Sequence, residues 1–229
     1  MKEQYNYEQR LEELENKKDV TFQKILEPFI YESVENYIES NKEDIQVLDV
    51  GCGCGFLTNQ IANKFSNIEI EGIDFSDEAI KCAEKHFNLK FIKGDITTFN
   101  TNKKYDILVY NMVLHNLEEI PFSMKKNHEI LKQDGIVIIT IPHPTFWLQD
   151  KINRGKITLE GPFNYKEEII YKIPFKIKNG SYHHNYLNYY HRCLSTYINI
   201  FSKYFKILNF EETDYKNGLP TMLNIVLKK

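Results

Sequence analysis

No apolar run in the 229-residue chain approaches the roughly 18 residues of a membrane-spanning helix, so no membrane partner is expected. The first residues, Met1-Lys2-Glu3-Gln4-Tyr5, lack the apolar stretch of a secretory leader. Cysteine is scarce. Of Cys52, Cys54, Cys82 and Cys193, only the first two are close in sequence, and no second pair completes a zinc-binding set. Cys52 and Cys54 read as small packing residues, no metal is expected, and the expected setting is the reducing cytoplasm. Dense basic clusters are also missing. Lys103-Lys104 and Lys125-Lys126 are isolated pairs, so no nucleic-acid partner is expected. No internal repeat or low-complexity tract interrupts the chain.

What is present fits one globular domain, with 42% hydrophobic and 27% charged residues. The net charge of −3 is divided unevenly. From Pro142 onward 13 Lys and Arg stand against 7 Asp and Glu, which leaves the first 141 residues acidic. The plain reading is surface composition. The sharper one is a mildly basic lobe that favours anionic or neutral substrates.

The densest signal is Val47-Leu48-Asp49-Val50-Gly51-Cys52-Gly53-Cys54-Gly55-Phe56. An apolar strand runs into three glycines spaced by two, then into a helix. Glycine admits positive φ and lets a ligand approach without a Cβ in the way. The helix start offers free N–H groups and a positive dipole end to the same space. The pattern predicts a nucleotide-binding turn. It departs from the dinucleotide fingerprint G-x-G-x-x-G/A, because Phe56 stands where that motif needs a small residue.

Downstream, Glu69–Ser76 reads as a strand ending in Asp74, an acid about 20 residues past the turn, where two carboxylate oxygens serve both ribose hydroxyls. The alternative for Asp74, capping the next helix, suits Ser76 better, with Glu78 in the first turn. Strands at 46–50, 69–73, 90–93, 106–110 and 135–141 alternate with helices at 55–65, 77–87 and 121–132, which predicts a parallel α/β sheet. Residues 5–17 and Thr21–Ser40 read as helices, the second with apolar residues at helical spacing from Phe22 to Ile38. After Ile141, Pro142-His143-Pro144 blocks continuation, and an irregular, aromatic-rich stretch follows. Glu168–Ile173 and Pro174–Ile177 read as short antiparallel strands. A helix from Arg192 to Ser202 and strands at Phe205–Phe210 and Met222–Leu227 close the chain.

The run D-x-G-x-G-x-G from Asp49 to Gly55 resembles motif I of the class I S-adenosylmethionine-dependent methyltransferases, and the resemblance extends over about residues 40–142. It implies a Rossmann-like α/β fold, a parallel sheet with helices on both faces, an antiparallel edge strand and strand order 3-2-1-4-5-7-6. It implies S-adenosylmethionine as cofactor and S-adenosylhomocysteine as product. Asp49, Gly51, Gly53 and Gly55 would form the cofactor turn. Asp74, with Phe75 beside it, would serve the ribose. Asp95 would accept from the adenine amino group, with Ile96 packed on the base. Asn111 and Met112 would line the methionine end. The alternative for Asp95 is an ordinary turn aspartate. A single domain over 1–229 is expected, with an N-terminal helical cap at 1–40 and a lid insert at 142–190.

Methyl transfer from a sulfonium is an in-line displacement, so alignment can supply roughly 7–11 kcal/mol of the barrier. An oxygen or nitrogen nucleophile gains from a base with a pKa of about 7, which points to histidine. His143 is the first candidate and His115 the second, both placed by strand order at the carboxyl end of the sheet. Their alternatives are structural, His115 as a packing or capping residue and His143 as a shaper of the turn. His191 and Arg192 precede a helix, and Arg192 reads as a tie between insert and sheet. Trp147, Tyr165 and Tyr186, among aromatics that include Phe163, Tyr171, Phe175, Tyr182, Tyr189 and Tyr190, line a substrate lid or form its core. Tyr5 and Tyr7 either fold over the cofactor or fray. The expected function is methyl transfer to an O, N or C nucleophile of a small molecule, by a monomer or homodimer. One alternative is an RNA or protein methyltransferase, but no Asn-Pro-Pro-Tyr segment follows strand four. The other is a non-catalytic binding module, against which stands an acid at each of three strand ends.

Overall fold

The computed structural model describes residues 6–41, 44–153, 163–174 and 186–229. Strands β1 (Ile45–Val50), β2 (Ile68–Asp74), β3 (Lys90–Lys93), β4 (Tyr105–Asn111) and β5 (Leu131–Pro142) are parallel. A separate antiparallel hairpin pairs β6 (Ile170–Pro174) with β7 (Tyr186–Tyr190). Strands β8 (Lys206–Lys216) and β9 (Leu219–Lys228) return antiparallel, with β9 against β5. The main sheet has the order β3-β2-β1-β4-β5-β9-β8. This is the expected arrangement, with the last two numbers raised because the hairpin supplies β6 and β7.

The helices are α1 (Tyr7–Glu15), α2 (Glu27–Ser40), α3 (Phe56–Lys64), α4 (Asp77–His86), α5 (Ile120–Ile130), α6 (Phe146–Asn153) and α7 (Leu194–Phe201). They cover both faces of the sheet, which is why its central strands are apolar throughout instead of alternating. Val47, Ile107, Val109 and Ile138 pack with Ile30 and Val34 of α2 and Ile61 of α3. Their neighbours Leu48, Leu108, Tyr110 and Ile139 point the other way and pack with Met124 of α5 and Phe201 of α7. Each such fully buried aliphatic contributes roughly 1.5–3 kcal/mol of burial. Pro28 and Pro121 sit in the first turns of α2 and α5, where a missing N–H costs little. The Ser76 hydroxyl caps α4 by accepting from Ala79 N at 3.2 Å, as its sequence position predicts.

Four local expectations are revised. The stretch after Ile141 begins with α6 and is not irregular there. The partner of β6 is Tyr186–Tyr190, while residues 175–177 of the expected second strand lie outside the described residues. The second N-terminal helix starts with a π-helical turn, Phe22–Leu26, before α2. The closing strands are longer than their apolar cores, because Asn217 (φ 53°) and Gly218 (φ 79°) make a tight reversal suited to the strand twist.

Candidate active site

The order of parallel strands reverses between β1 and β4, and a cleft of about 480 Å³ opens there, in the range of small-molecule sites. Its walls include five residues expected to bind cofactor: Gly51, Asp74, Phe75, Asp95 and Ile96. They also include Val113, Asn116 and Leu117 after β4, and Asn188 and Tyr190 of β7. Asp49, Gly53, Gly55, Asn111 and Met112, also expected to bind cofactor, are not among its wall residues.

The three glycines all have positive φ, 70°, 56° and 76°, yet they serve different ends. A Cβ on Gly51 would stand 2.5 Å from Val113 Cγ2, and one on Gly55 would stand 2.7 Å from Phe91 Cζ. Those two glycines let neighbouring elements close onto the turn. A Cβ on Gly53 would meet only Tyr7 Cε1, at 3.9 Å. The middle glycine is therefore the one with room above it. Tyr7 faces Gly53, and its hydroxyl, bonded to the Ser76 side chain, is pushed up to about 12 by burial. Tyr5 lies outside the described residues.

Asp74 is buried and accepts from Gly53 N through Oδ2 and from Ser76 N through Oδ1, both at 2.9 Å. Burial holds its pKa above the usual carboxylate range, and the two N–H groups offset part of that rise. Asp49 is buried behind the turn, accepts from Thr58 Oγ1 at 2.7 Å, and is pushed up to about 7 by burial, with the charge of Asp74 adding to the effect. Asp95 forms an Asx-type turn, its Oδ1 accepting from Thr97 N and Oγ1 at 2.8 Å. Its Oδ2 has no hydrogen-bond partner among the described residues. Phe75 presents a side chain 72% exposed on the cleft wall. Met112 has φ 61°, a conformation strained for a side chain of its size, and its N–H donates to Thr140 O at 2.9 Å. Asn111 Oδ1 accepts from Thr140 Oγ1 at 2.8 Å. This pair sets the path of the chain out of β4.

The two candidate bases are both buried. His143 Nδ1 accepts from Thr145 N at 3.2 Å and Phe146 N at 3.3 Å, which caps the start of α6. With Nδ1 accepting, Nε2 carries the proton and donates to Glu212 of β8 at 2.9 Å. Both ring nitrogens therefore have partners within the chain. Burial lowers its pKa, and Glu212 opposes that. His115 lies in a short 3₁₀ turn, Leu114–Asn116, with its ring 5.6 Å from Tyr189. Its Nδ1 has no partner among the described residues, and burial, reinforced by Arg192, brings its pKa to about 3.

The residues expected in the lid mostly pack on one another. Trp147 stacks on Tyr189 at 5.4 Å. His191 Nε2 donates to Tyr165 O at 2.9 Å, among the rings of Phe163, Tyr171 and Tyr189. Arg192 donates to Leu117 O at 2.7 Å and to Glu118 O, so it ties the segment after β7 to the loop after β4. Tyr186 starts β7, and nothing is described of its side chain. Phe175 and Tyr182 lie outside the described residues. Sequence reasoning held Val113 only as part of the segment after strand four, and missed Glu212 and Asn188. Nothing local marks them, since each matters through a neighbour distant in sequence.

A family model for the methyltransferase domain matches residues 41–194. Malonyl-[acyl-carrier protein] O-methyltransferase 2 of Ilyobacter polytropus is 30% identical over 108 residues, 45% of this chain and 42% of that protein. Ribosomal protein L11 methyltransferase of Dictyoglomus turgidum is 35% identical over 104 residues, 43% of this chain and 33% of that protein. The chain thus spans about half or less of the length of these curated relatives. The crystal structure of an S-adenosylmethionine-dependent methyltransferase from Clostridium acetobutylicum superposes with a TM-score of 0.64 at 17% identity, over 94% of this chain and 98% of that one, which is a likeness of fold. With the family model spanning most of the chain, and the sheet order and glycine turn in agreement, the chain belongs to the class I S-adenosylmethionine-dependent methyltransferases.

Proposed function

We propose that the protein transfers the methyl group of S-adenosylmethionine to an oxygen, nitrogen or carbon nucleophile of a small molecule in the cytoplasm. The bound cofactor supplies a methyl group already activated on a sulfonium for in-line displacement. The chain's own residues bind, orient and exclude water. The observation that carries this reading is Asp74, a buried carboxylate on the cleft wall. Two backbone N–H groups fix it, and its remaining lone pairs suit the two ribose hydroxyls. Asp95 Oδ2 is available to the adenine amino group, and Phe75 and Ile96 offer apolar surface to the base. The space above Gly53, beside Tyr7, suits the amino-acid end, to which the resemblance also assigns Asn111 and Met112. A cationic ammonium near Asp49 would relieve the burial that holds its proton.

Residues 1–40 act in this reading as a cap and 142–190 as a lid, with Asn188 and Tyr190 reaching the cleft. His143 is proposed as a positioning residue, because both its nitrogens are engaged. His115 is too weak a base at neutral pH. Alignment is then the main device, and the acceptor reacts already deprotonated or passes its proton to solvent. The basic balance beyond Pro142 and the acyl substrate named for the Ilyobacter relative both support a small carboxylate, free or on a carrier, as the acceptor class. No helix among the described residues is long and apolar enough to cross a membrane, which fits a cytoplasmic site of action.

Calorimetry should show S-adenosylhomocysteine binding in the micromolar range, and thermal shift should show less stabilisation by NAD, since Phe56 fills the dinucleotide position. A larger shift with NAD would reverse the reading. Transfer of labelled methyl across a panel of carboxylates, phenols and amines assigns the acceptor.

A further inference from the structure

Helices α1 and α4 lie against each other and bring together three side chains with no part in the reading above. Cys82 and His86 stand four residues apart on α4 and so share a face. Glu8 meets them from α1. One ligand atom from each, the thiol sulfur, an imidazole nitrogen and a carboxylate oxygen, all lie within 4.8 Å of one another. Cys82 is only 4% exposed, and its sulfur has no hydrogen-bond partner among the described residues. Glu8 Oε2 is 2.7 Å from His86 Nε2, while its Oε1 holds Lys85 Nζ at 2.8 Å. Glu12 and Glu15 line the adjoining cavity together with Glu8 and His86. They follow Glu8 by four and seven residues and so share its face of α1.

Sulfur, nitrogen and oxygen donors in one place match zinc chemistry. Tetrahedral zinc with bonds of about 2.0–2.3 Å sets its ligand atoms on the order of 3.3–3.6 Å apart. The observed separations, 2.7 Å between Glu8 Oε2 and His86 Nε2 and at most 4.8 Å in the set, bracket that spacing. The sequence pattern gave no sign of it, because a C-x-x-C pair is absent and the third ligand comes from a helix more than 70 residues upstream.

We propose that Glu8, Cys82 and His86 form a zinc-class metal site, with a fourth position open to the Glu12 or Glu15 carboxylate, that clamps α1 onto α4. Binding replaces the Cys82 thiol proton, which passes to solvent, with a metal–sulfur bond, and His86 ligates through Nε2 with a proton on Nδ1. Lys85 stays on Glu8 Oε1 and orients the carboxylate whose Oε2 ligates. Because α1 begins with Tyr7 beside Gly53, the clamp also fixes that wall of the cofactor space, and zinc and cofactor reinforce each other's binding. The site stands independently of the cofactor reading. Only the coupling rests on it.

Cobalt(II) added to the reduced, metal-free full chain tests the ligand set, since a thiolate ligand gives an intense near-ultraviolet charge-transfer band. The expected result is one ion per chain, a band displaced by zinc, and its loss in Cys82→Ser. Zinc affinity should fall at least tenfold in His86→Gln and in Glu8→Gln, both changes at the surface. No zinc binding by the wild type, or a cobalt band that persists in Cys82→Ser, overturns the site. Titration with S-adenosylhomocysteine should be several-fold tighter with zinc in the wild type and indifferent to zinc in Cys82→Ser. An affinity that ignores zinc in the wild type overturns the coupling. Absence of S-adenosylhomocysteine binding beside an intact cobalt band would refute the cofactor reading and leave the metal site standing.

Discussion

His115→Phe isolates a pH dependence built into the cleft's second layer. His115 is 8% exposed, its ring rests near Tyr189, and its Nδ1 is unpartnered among the described residues. Burial, then the charge of Arg192, lowers its pKa from 6.5 to about 3. A histidine with a folded pKa below its unfolded one binds protons better when the chain unfolds. Its contribution to stability is complete above pH of about 6.5 and is lost as pH falls from there towards 3. Between pH 7 and 5 the unfolded imidazole passes from about one-quarter to nearly full protonation, while the folded one stays neutral. The linkage integral over that interval is about 2 kcal/mol, a large share of an ordinary folding free energy. Urea unfolding at the two pH values reads it. The wild type should lose about 2 kcal/mol more than His115→Phe. Phe keeps the ring and drops an unpaired nitrogen, so the two should lie within about 1 kcal/mol of each other at pH 7. His143 and His191, also lowered by burial, weaken both proteins alike and cancel in the comparison. Equal losses would refute the neutral, buried state of His115 and return it to candidacy as a base.

Asp74→Ala should weaken S-adenosylhomocysteine binding by about 2–4 kcal/mol, roughly thirty- to several-hundredfold, in calorimetry. Unchanged affinity would remove Asp74 from the site. Gly51→Ala forces a Cβ to 2.5 Å from Val113 Cγ2 at a φ of 70°, and should cost about 2–4 kcal/mol in chemical unfolding, with Val113→Ala restoring part of it. A neutral effect would mean that the turn and Val113 part freely. His143→Ala removes the cap of α6 and the bond to Glu212 and should cost about 2–4 kcal/mol, whereas His143→Asn keeps a capping acceptor and recovers about 1 kcal/mol of that. Once an acceptor is known, a folded His143→Asn that has lost 10²-fold or more in turnover would identify a general base instead.

The positions of the strands and of the glycine turn were determined by the sequence, because their signals are local, whereas the order of the sheet followed only from the resemblance to a family. A strand buried on both faces is a short apolar run, and Val47–Val50 and Ile107–Tyr110 are such runs. The glycine spacing sets positive φ at three known places, and Ser76 caps α4 within three residues of itself. Helix α6 was hidden because it is eight residues long, follows two prolines, and buries fully only Leu148, so it has almost no periodic face to show. The remainder depended on contacts across long separations. His143 is a plausible base in one dimension and a tied cap in three, because Glu212 arrives 69 residues later on β8. Gly51 answers to Val113, Arg192 to the carbonyls of Leu117 and Glu118, and Cys82 to Glu8. Burial did the rest. It sets His115 near pH 3 and Asp49 near pH 7, and burial is a property of the packed molecule that no spacing of residues records.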